Sequence, residues 1–300
     1  SATLSSSLTN ILSGAFNNCT SLSSIVIPES VKTIGSYAFY NTKALKDVTL
    51  SDKLKDVYYD AFEYSYDKDD EVVERTLIIS EGSEKVTSIM VSPLRNTLVA
   101  VKLPSTLKTI GEDAFYDCDK LTAVKLPDTT ETIGKSAFYD CDGITSIELP
   151  ASVNTIGNEA FCSCGKLAAV TFNEGLSSIG ENAFADTPVK AVSVPDTVKV
   201  IGSGAFSDCA TLTDVKLSSG LKRISSSLFS GCTSLAELEI PYGVETISSY
   251  VISNCPAIKK LTIPDTVESV DTWAYSMDDV TIDIAVSDGS KKITPTMFYG

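Results

Sequence analysis

Ile110-Gly111-Glu112-Asp113-Ala114-Phe115-Tyr116-Asp117-Cys118-Asp119-Lys120-Leu121-Thr122-Ala123-Val124-Lys125-Leu126-Pro127 is a segment that recurs, with variations, along almost the whole chain. Its next copies begin 23 residues later at Ile133-Gly134 and again at Ile156-Gly157. Each copy carries an Ala-Phe pair followed by aliphatic residues spaced L-x-x-L-x-L. A period in the twenties with this spacing is typical of stacked repeats. Residues 1–300 are therefore predicted to form one elongated unit without separate globular cores.

The aromatic residue of the Ala-Phe pair sets the register, and we call its positions the ruler positions. They predict about thirteen layers. They are Phe16, Phe39, Phe62, Leu94, Phe115, Phe138, Phe161, Phe184, Phe206, Phe229, Ile252, Tyr275 and Phe298. Most steps are 23, but the step from Phe62 to Leu94 is 32 and includes an acidic stretch near residues 67–75. Stacked layers cannot absorb such an insertion, so we expect it to leave the solenoid as a loop.

Each repeat has three physical parts. A short alternating segment such as Val124-Lys125-Leu126 predicts a strand with one buried face, and the following Pro127 ends it. The return path carries Ile133-Gly134, where glycine allows either a left-handed or a closely approached backbone. A short helical or 3-10 turn is expected around Ala-Phe. These parts predict an α/β fold, a strand-rich, right-handed leucine-rich-repeat solenoid (horseshoe) with a parallel sheet on its concave side and the helical turns on its convex side.

The repeat pattern also resembles a known family. Residues 118–141 follow Cys-x-x-Leu-x-x-Val-x-Leu-Pro-x-x-Leu-x-x-Ile-Gly-x-x-Ala-Phe-x-x-Cys almost without departure. This pattern resembles the BspA-like subclass of leucine-rich repeats, and the resemblance covers essentially the whole chain apart from the insertion. It implies a secreted or cell-surface protein of a host-associated anaerobic bacterium. It also implies roles in adhesion to host extracellular proteins or in contact with other microbes.

Composition excludes several function classes. The net charge of -15 should repel nucleic-acid phosphates and anionic lipids, and no segment is apolar and long enough to span a membrane. The absence of histidine removes the commonest general base and the commonest metal ligand. Paired carboxylates could still serve a glycosidase by residue type, but we find no convergent constellation. We therefore expect no enzyme, no metal, no cofactor, no nucleic acid and no direct membrane insertion.

Seven cysteines lie three residues after ruler positions and form a predicted column. They are Cys19, Cys118, Cys141, Cys164, Cys209, Cys232 and Cys255. Their spacing does not make a zinc site. We expect buried thiols that hydrogen-bond to the turn backbone, although thiols one layer apart fall within disulfide range by distance. Cys162 lies outside the column and should be nearer the surface.

The insertion is the first candidate binding site. Its candidate residues are Tyr58, Tyr59, Tyr64, Tyr66, Asp67, Asp69, Asp70 and Glu71. Tyrosines next to adaptable polar residues make good recognition surfaces. Two alternatives stay open. The stretch could be a solvated charged loop, or a calcium site, although it lacks the glycine and the ligand order of an EF-hand loop.

Two further surfaces are candidates for binding. The outward strand positions carry small residues and opposite charges without aromatic anchors, which favours a solvated face with cross-strand charge pairs. Tyr250 and Trp273 occupy equivalent positions in adjacent layers and could form an exposed aromatic pair. Such a pair could bind a glycan or pack against a further segment.

These observations predict an extracellular or cell-surface adhesion module that is secreted or displayed by the cell. Its expected partners are host extracellular proteins or glycans, or other microbial surface proteins. The alternative is a passive spacer that displays another domain of a longer protein. The sequence leaves the ligand and the oligomeric state open.

Overall fold

The computed structural model describes residues 2–63, 73–271 and 283–286, and it shows a parallel β-solenoid. Successive coils stack so that each repeat contacts the repeats before and after it. Two columns of parallel strands run along the stack, and a column of turns joins them. The predicted strand-rich solenoid is confirmed.

The first column, here called the long-strand column, contains the strands expected from the alternating pattern. Ile147 is buried between exposed Ser146 and Glu148, and Ser146 pairs with Ala169 one period later. The strands are Ser24–Val26, Asp47–Leu50, Arg75–Ile79, Leu98–Lys102, Ser146–Glu148, Ala169–Thr171, Ala191–Ser193, Asp214–Lys216, Glu237–Glu239, Lys260–Ile263 and Asp283–Val286.

The second column, the short-strand column, lies in the return path and was not expected from the sequence. Its two-residue strands are Asn10–Ile11, Thr33–Ile34, Asp56–Val57, Lys85–Val86, Thr109–Ile110, Thr132–Ile133, Thr155–Ile156, Ser178–Ile179, Val200–Ile201, Arg223–Ile224, Thr246–Ile247 and Ser269–Val270. The glycine that follows continues the ladder, as when the Gly134 N–H donates to the Ile110 carbonyl at 2.8 Å. A Cβ on Gly157 would lie 2.6 Å from Gly134 C and Lys135 N. Close approach of the layers, rather than a left-handed conformation, therefore requires glycine here.

The turns around Ala-Phe differ from the helical turns expected on the convex side. Asp113 and Asp117, two residues before and after Phe115, have φ of 52° and 58°. Two left-handed residues four positions apart interrupt the consecutive right-handed conformation that a helix needs. The N–H groups of Asp113, Phe115 and Asp117 instead donate to carbonyls of the next layer at 3.0, 2.7 and 2.9 Å. In the described residues, an α-helix at Ser88–Val91 and a 3-10 helix at Ser92–Thr97 are the only helices.

That single helical segment belongs to the irregular layer. Asp47 pairs with Thr76, a step of 29 residues, and Thr76 pairs with Ala100, a step of 24. The residues beyond the regular step of 23 are thus divided between the chain before Arg75–Ile79 and the helical return path. The expected loop at residues 67–75 ends before Arg75, which is fully buried and donates from Nη1 to Thr97 Oγ1 at 3.2 Å. Residues 64–72 lie outside the described residues.

The core is continuous along the stack. Ring stacking of the ruler phenylalanines dominates it, with centroids 5.0 Å apart for Phe115 and Phe138 and 5.1 Å apart for Phe138 and Phe161. The planes of both pairs lie within 6° of parallel. Each layer is therefore held by apolar contacts to its neighbours, and the surface side chains are mounted on rigid turns.

Candidate ligand-binding site

The cysteine column is structural. The Cys141 and Cys164 thiols each donate to the carbonyl of the ruler phenylalanine one layer earlier at 3.0 Å. All eight cysteines are free, so no disulfide links the layers. Burial raises the pKa of Cys164 to about 12, which keeps this thiol protonated and unreactive at neutral pH.

Two cysteines stand apart. Cys19 was expected to be buried with the column but is exposed, because in the described residues no earlier layer offers its thiol a ruler carbonyl. Cys162 is half-buried, as expected for a position closer to the surface, and burial raises its pKa. The charged groups near Cys162 are carboxylates, so it lacks the electropositive surroundings of a reactive thiol.

The outer face of the long-strand column is solvated as expected, but the expected cross-strand charge pairs are not seen among its described residues. No ion pair joins the exposed charges of these described residues, and the described pairs lie elsewhere. No ladder joins Asp214–Lys216 to Glu237–Glu239 in this part of the chain. An open groove of about 790 Å³ lies over these strands, with half-buried Val170 and Val215 in its floor. It offers no aromatic anchor except the partly covered Phe172.

A more distinctive surface lies along the turn column, and we call it the tyrosine edge. Its members are Tyr37, Tyr40, Tyr59, Glu63, Arg95, Tyr116 and Tyr139. Tyr37 meets Tyr40 edge to face at 5.5 Å, and Tyr116 stacks on Tyr139 at 5.0 Å with planes 3° apart. Between these pairs, Tyr59, Glu63 and Arg95 line a cleft of about 230 Å³. The edge therefore runs without a break across the irregular layer.

The electrostatics of the edge keep the hydroxyls of Tyr37 and Tyr116 protonated. The Asp60 carboxylate, followed by that of Glu63, raises the pKa of Tyr37. Burial, with the neighbouring Tyr139 and Asp117, raises the pKa of Tyr116. Arg95 is the cation at the centre of the edge and pairs with Asp117 at 3.4 Å. The surface thus presents flat rings, hydroxyl donors and one fixed guanidinium.

Only part of the predicted insertion site can be placed. Tyr59 is 80% exposed and belongs to the edge. Tyr58 is also exposed, and its N–H extends the short-strand ladder to the Ile34 carbonyl at 3.0 Å, but it does not line the cleft. The other predicted residues of this site lie outside the described residues. These are Tyr64, Tyr66, Asp67, Asp69, Asp70 and Glu71.

Tyr250, from the second predicted pair, lies in a distant part of the solenoid. Tyr250 is exposed and has φ of 61° at the same turn position as Tyr37. Its expected partner Trp273 lies outside the described residues, so the pair remains a prediction. Tyr250 is not part of the tyrosine edge.

Sequence reasoning did not identify Tyr37, Tyr40, Arg95, Tyr116 and Tyr139 as binding residues. The register contained the signal, because Tyr40, Arg95, Tyr116 and Tyr139 all follow a ruler position directly. Residues that share a register position in successive layers share one edge of the solenoid. The irregular layer hid this, since the step of 32 separates Arg95 from Glu63, the residue at the same register position in the layer before.

The described residues hold no group of three or more acidic or cysteine side chains placed to bind a metal ion. In the same part of the chain, no helix has the length and apolarity needed to cross a membrane.

The fold and the repeat pattern define a leucine-rich-repeat solenoid. The sequence model of the BspA type leucine rich repeat region (6 copies) matches residues 1–70, 95–213 and 199–300. The chain belongs to this family. No protein of the curated set matches it significantly.

Solved structures resemble the chain at low identity. A leucine-rich repeat protein from Bacteroides ovatus is 23% identical, with 88% of this chain and 79% of that chain covered and a TM-score of 0.53. A leucine rich cell surface protein from Faecalibacterium prausnitzii is 24% identical over 90% and 84% of the two chains, with a TM-score of 0.43. The first likeness supports the fold.

Proposed function

We propose that the chain is a non-catalytic adhesion module, secreted or carried on the surface of a host-associated bacterium. Its partners are host extracellular proteins or glycans, or surface proteins of other microbes. Membership of the BspA type family supports the extracellular setting. The absence of histidine and of a metal-binding group among the described residues supports a binding role over a catalytic one.

The tyrosine edge is the observation that carries the proposal. Tyrosine contributes a large, rigid contact area and a hydrogen-bonding hydroxyl at low entropic cost. Here the turns that carry Tyr116 and Tyr139 are each held in place by three interlayer N–H bonds, so little ordering is needed there on binding. The insertion residues Tyr64, Tyr66, Asp67, Asp69, Asp70 and Glu71 come after Glu63 in the sequence and remain candidates for the same binding site. Tyr250 and Trp273 remain a second candidate.

Surface-based binding to a panel of host matrix proteins and mucin-type glycans tests the proposal. We expect Tyr59→Ala to weaken binding at least about tenfold, which is typical of an exposed aromatic anchor. Tyr242→Ala is the matched control, since Tyr242 is 73% exposed but lies outside the edge. A variant with residues 67–72 replaced by a short Gly-Ser turn keeps the buried Arg75 and tests the insertion separately.

The outcomes separate the candidates. With Tyr242→Ala unaffected, loss of binding in Tyr59→Ala supports the tyrosine edge, and loss of binding in the insertion variant supports the insertion. If Tyr250→Ala loses binding and the other variants do not, the binding site lies at the Tyr250 surface. If the folded chain binds nothing on the panel, a passive spacer role explains the protein better.

A further inference from the structure

The tyrosine edge contains a second, smaller cleft beside Tyr116. It has a volume of about 220 Å³ and is lined by Ser88, Ser92, Arg95, Asp113, Ala114 and Tyr116. Pockets for drug-sized ligands measure about 300–1,000 Å³. A cleft of this size suits a ligand with a single ring.

One wall of the cleft is an aromatic face. Tyr139, from the layer after Tyr116, covers one face of the Tyr116 ring at 5.0 Å. The other lining residues Ser88, Ser92 and Arg95 come from the layer before, so the opposite face of the ring points into the cleft. Tyr116 is 41% exposed, which leaves this face accessible. An aromatic face carries partial negative charge and attracts the weakly positive C–H groups of a saturated ring.

The remaining walls carry hydrogen-bonding groups in fixed positions. The ion pair with Asp117 orients the Arg95 guanidinium as a planar donor. Asp113 is held by its left-handed conformation and by its N–H bond to the Lys135 carbonyl at 3.0 Å, and its carboxylate is an acceptor. The Ser88 and Ser92 hydroxyls can both donate and accept. This set matches a ligand that presents adjacent hydroxyl groups.

The charge of the cleft selects among such ligands. Two carboxylates, Asp113 and Asp117, stand against the single guanidinium of Arg95. Asp140 adds further negative charge close to Tyr116. Anionic sugars and phosphates would be repelled, whereas a neutral ring is not.

We propose that this cleft binds a neutral pyranose, such as a terminal hexose of a glycan, with its apolar face on Tyr116 and its hydroxyls on Arg95 and Asp113. The proposal deepens the adhesion function and rests on it. It assigns glycan recognition to the part of the edge beside Tyr116.

Saturation-transfer NMR with the full chain tests this, using methyl glycosides of glucose, galactose and mannose, with glucuronate and N-acetylneuraminate as anionic probes. At least one neutral glycoside should bind with a Kd of the order of millimolar, which is the range for a small solvent-exposed site. Tyr116→Ala should weaken it about tenfold and Arg95→Gln by several-fold. Tyr116→Phe, which keeps the ring face, should stay within about threefold.

Tyr242→Ala is the control, because Tyr242 is an exposed tyrosine that lies outside the tyrosine edge and does not line the cleft. Thermal unfolding of each variant shows that it is folded, and Arg95→Gln still tests the site if Tyr116→Ala does not fold. Three results would overturn the proposal: saturation transfer to the anionic probes only, saturation transfer to none of the sugars, or equal binding of a neutral glycoside by the unchanged chain and by Tyr116→Ala. If the chain still binds a panel protein in that case, adhesion stands and only the sugar site fails. Silence in both assays rejects both.

Discussion

Replacing Phe138 by alanine tests whether the stacked rings are the main source of cohesion between layers. Phe138 is fully buried and stacks on Phe115 and on Phe161 at 5.0 and 5.1 Å. Truncation of a buried phenylalanine costs about 3–5 kcal/mol, and each ring pair contributes about 0.5–1.5 kcal/mol within that total. With a ring on both sides, we expect a loss of about 4–5 kcal/mol in the free energy of unfolding.

The matched variant is Phe16→Ala. Phe16 is only partly buried and stacks on Phe39 alone among the described residues, at 5.0 Å. Its loss should cost about 1–2 kcal/mol. Urea unfolding followed by circular dichroism measures both values, and the slope shows whether Phe138→Ala divides the solenoid into separately unfolding halves. Equal costs for the two variants would refute the reasoning that each interior layer depends on two ring contacts.

Three other predictions follow from the same geometry. A thiol reagent should label Cys162 in the native state and Cys141 only on unfolding, because Cys141 is fully buried; fast native labelling of Cys141 would contradict the register. Gly157→Ala should lower the free energy of unfolding by about 1–3 kcal/mol, measured by urea unfolding, because its Cβ would meet backbone atoms at 2.6 Å. An unchanged free energy of unfolding would show that the layers separate easily. Burial, followed by the Asp142 carboxylate, raises the pKa of Asp140, so ionisation of Asp140 costs stability as pH rises through its folded pKa. Asp140→Asn should therefore stabilise slightly at pH 7, by less than about 0.5 kcal/mol, and lose this advantage below the unfolded pKa of 3.8; a gain that persists in acid would point to another cause.

The regular layers were readable because every copy repeats the same local pattern. Alternation in Ser146-Ile147-Glu148 predicted a strand with a buried centre, and the structure has it. The position of Cys141 in the repeat predicted a buried thiol bound to the turn backbone, and its bond to Phe115 confirms this. Thr132–Ile133 is too short for an alternation signal, so the second column of strands was missed.

The structure of the irregular layer could not be predicted from the sequence, for a different reason. Arg75 appears in the sequence as the end of a charged loop, but it begins a strand and is buried against Thr97. A single step of 32 residues does not reveal how the residues beyond the regular step of 23 are divided along the coil. Only the pairing of Asp47 with Thr76 and of Thr76 with Ala100 shows that division.

The sequence by itself determined the layered fold, the family and the inward-facing residues, because a fixed period makes each repeat bury the same positions. The tertiary structure alone decided which surface residues meet. It placed Tyr59 beside Arg95, and Arg95 beside Tyr116, across the layer that contains the long step of 32 residues. Because the layers stack, residues at the same register position come into contact. At an insertion, that register is set by interlayer hydrogen bonds and packing rather than by sequence spacing.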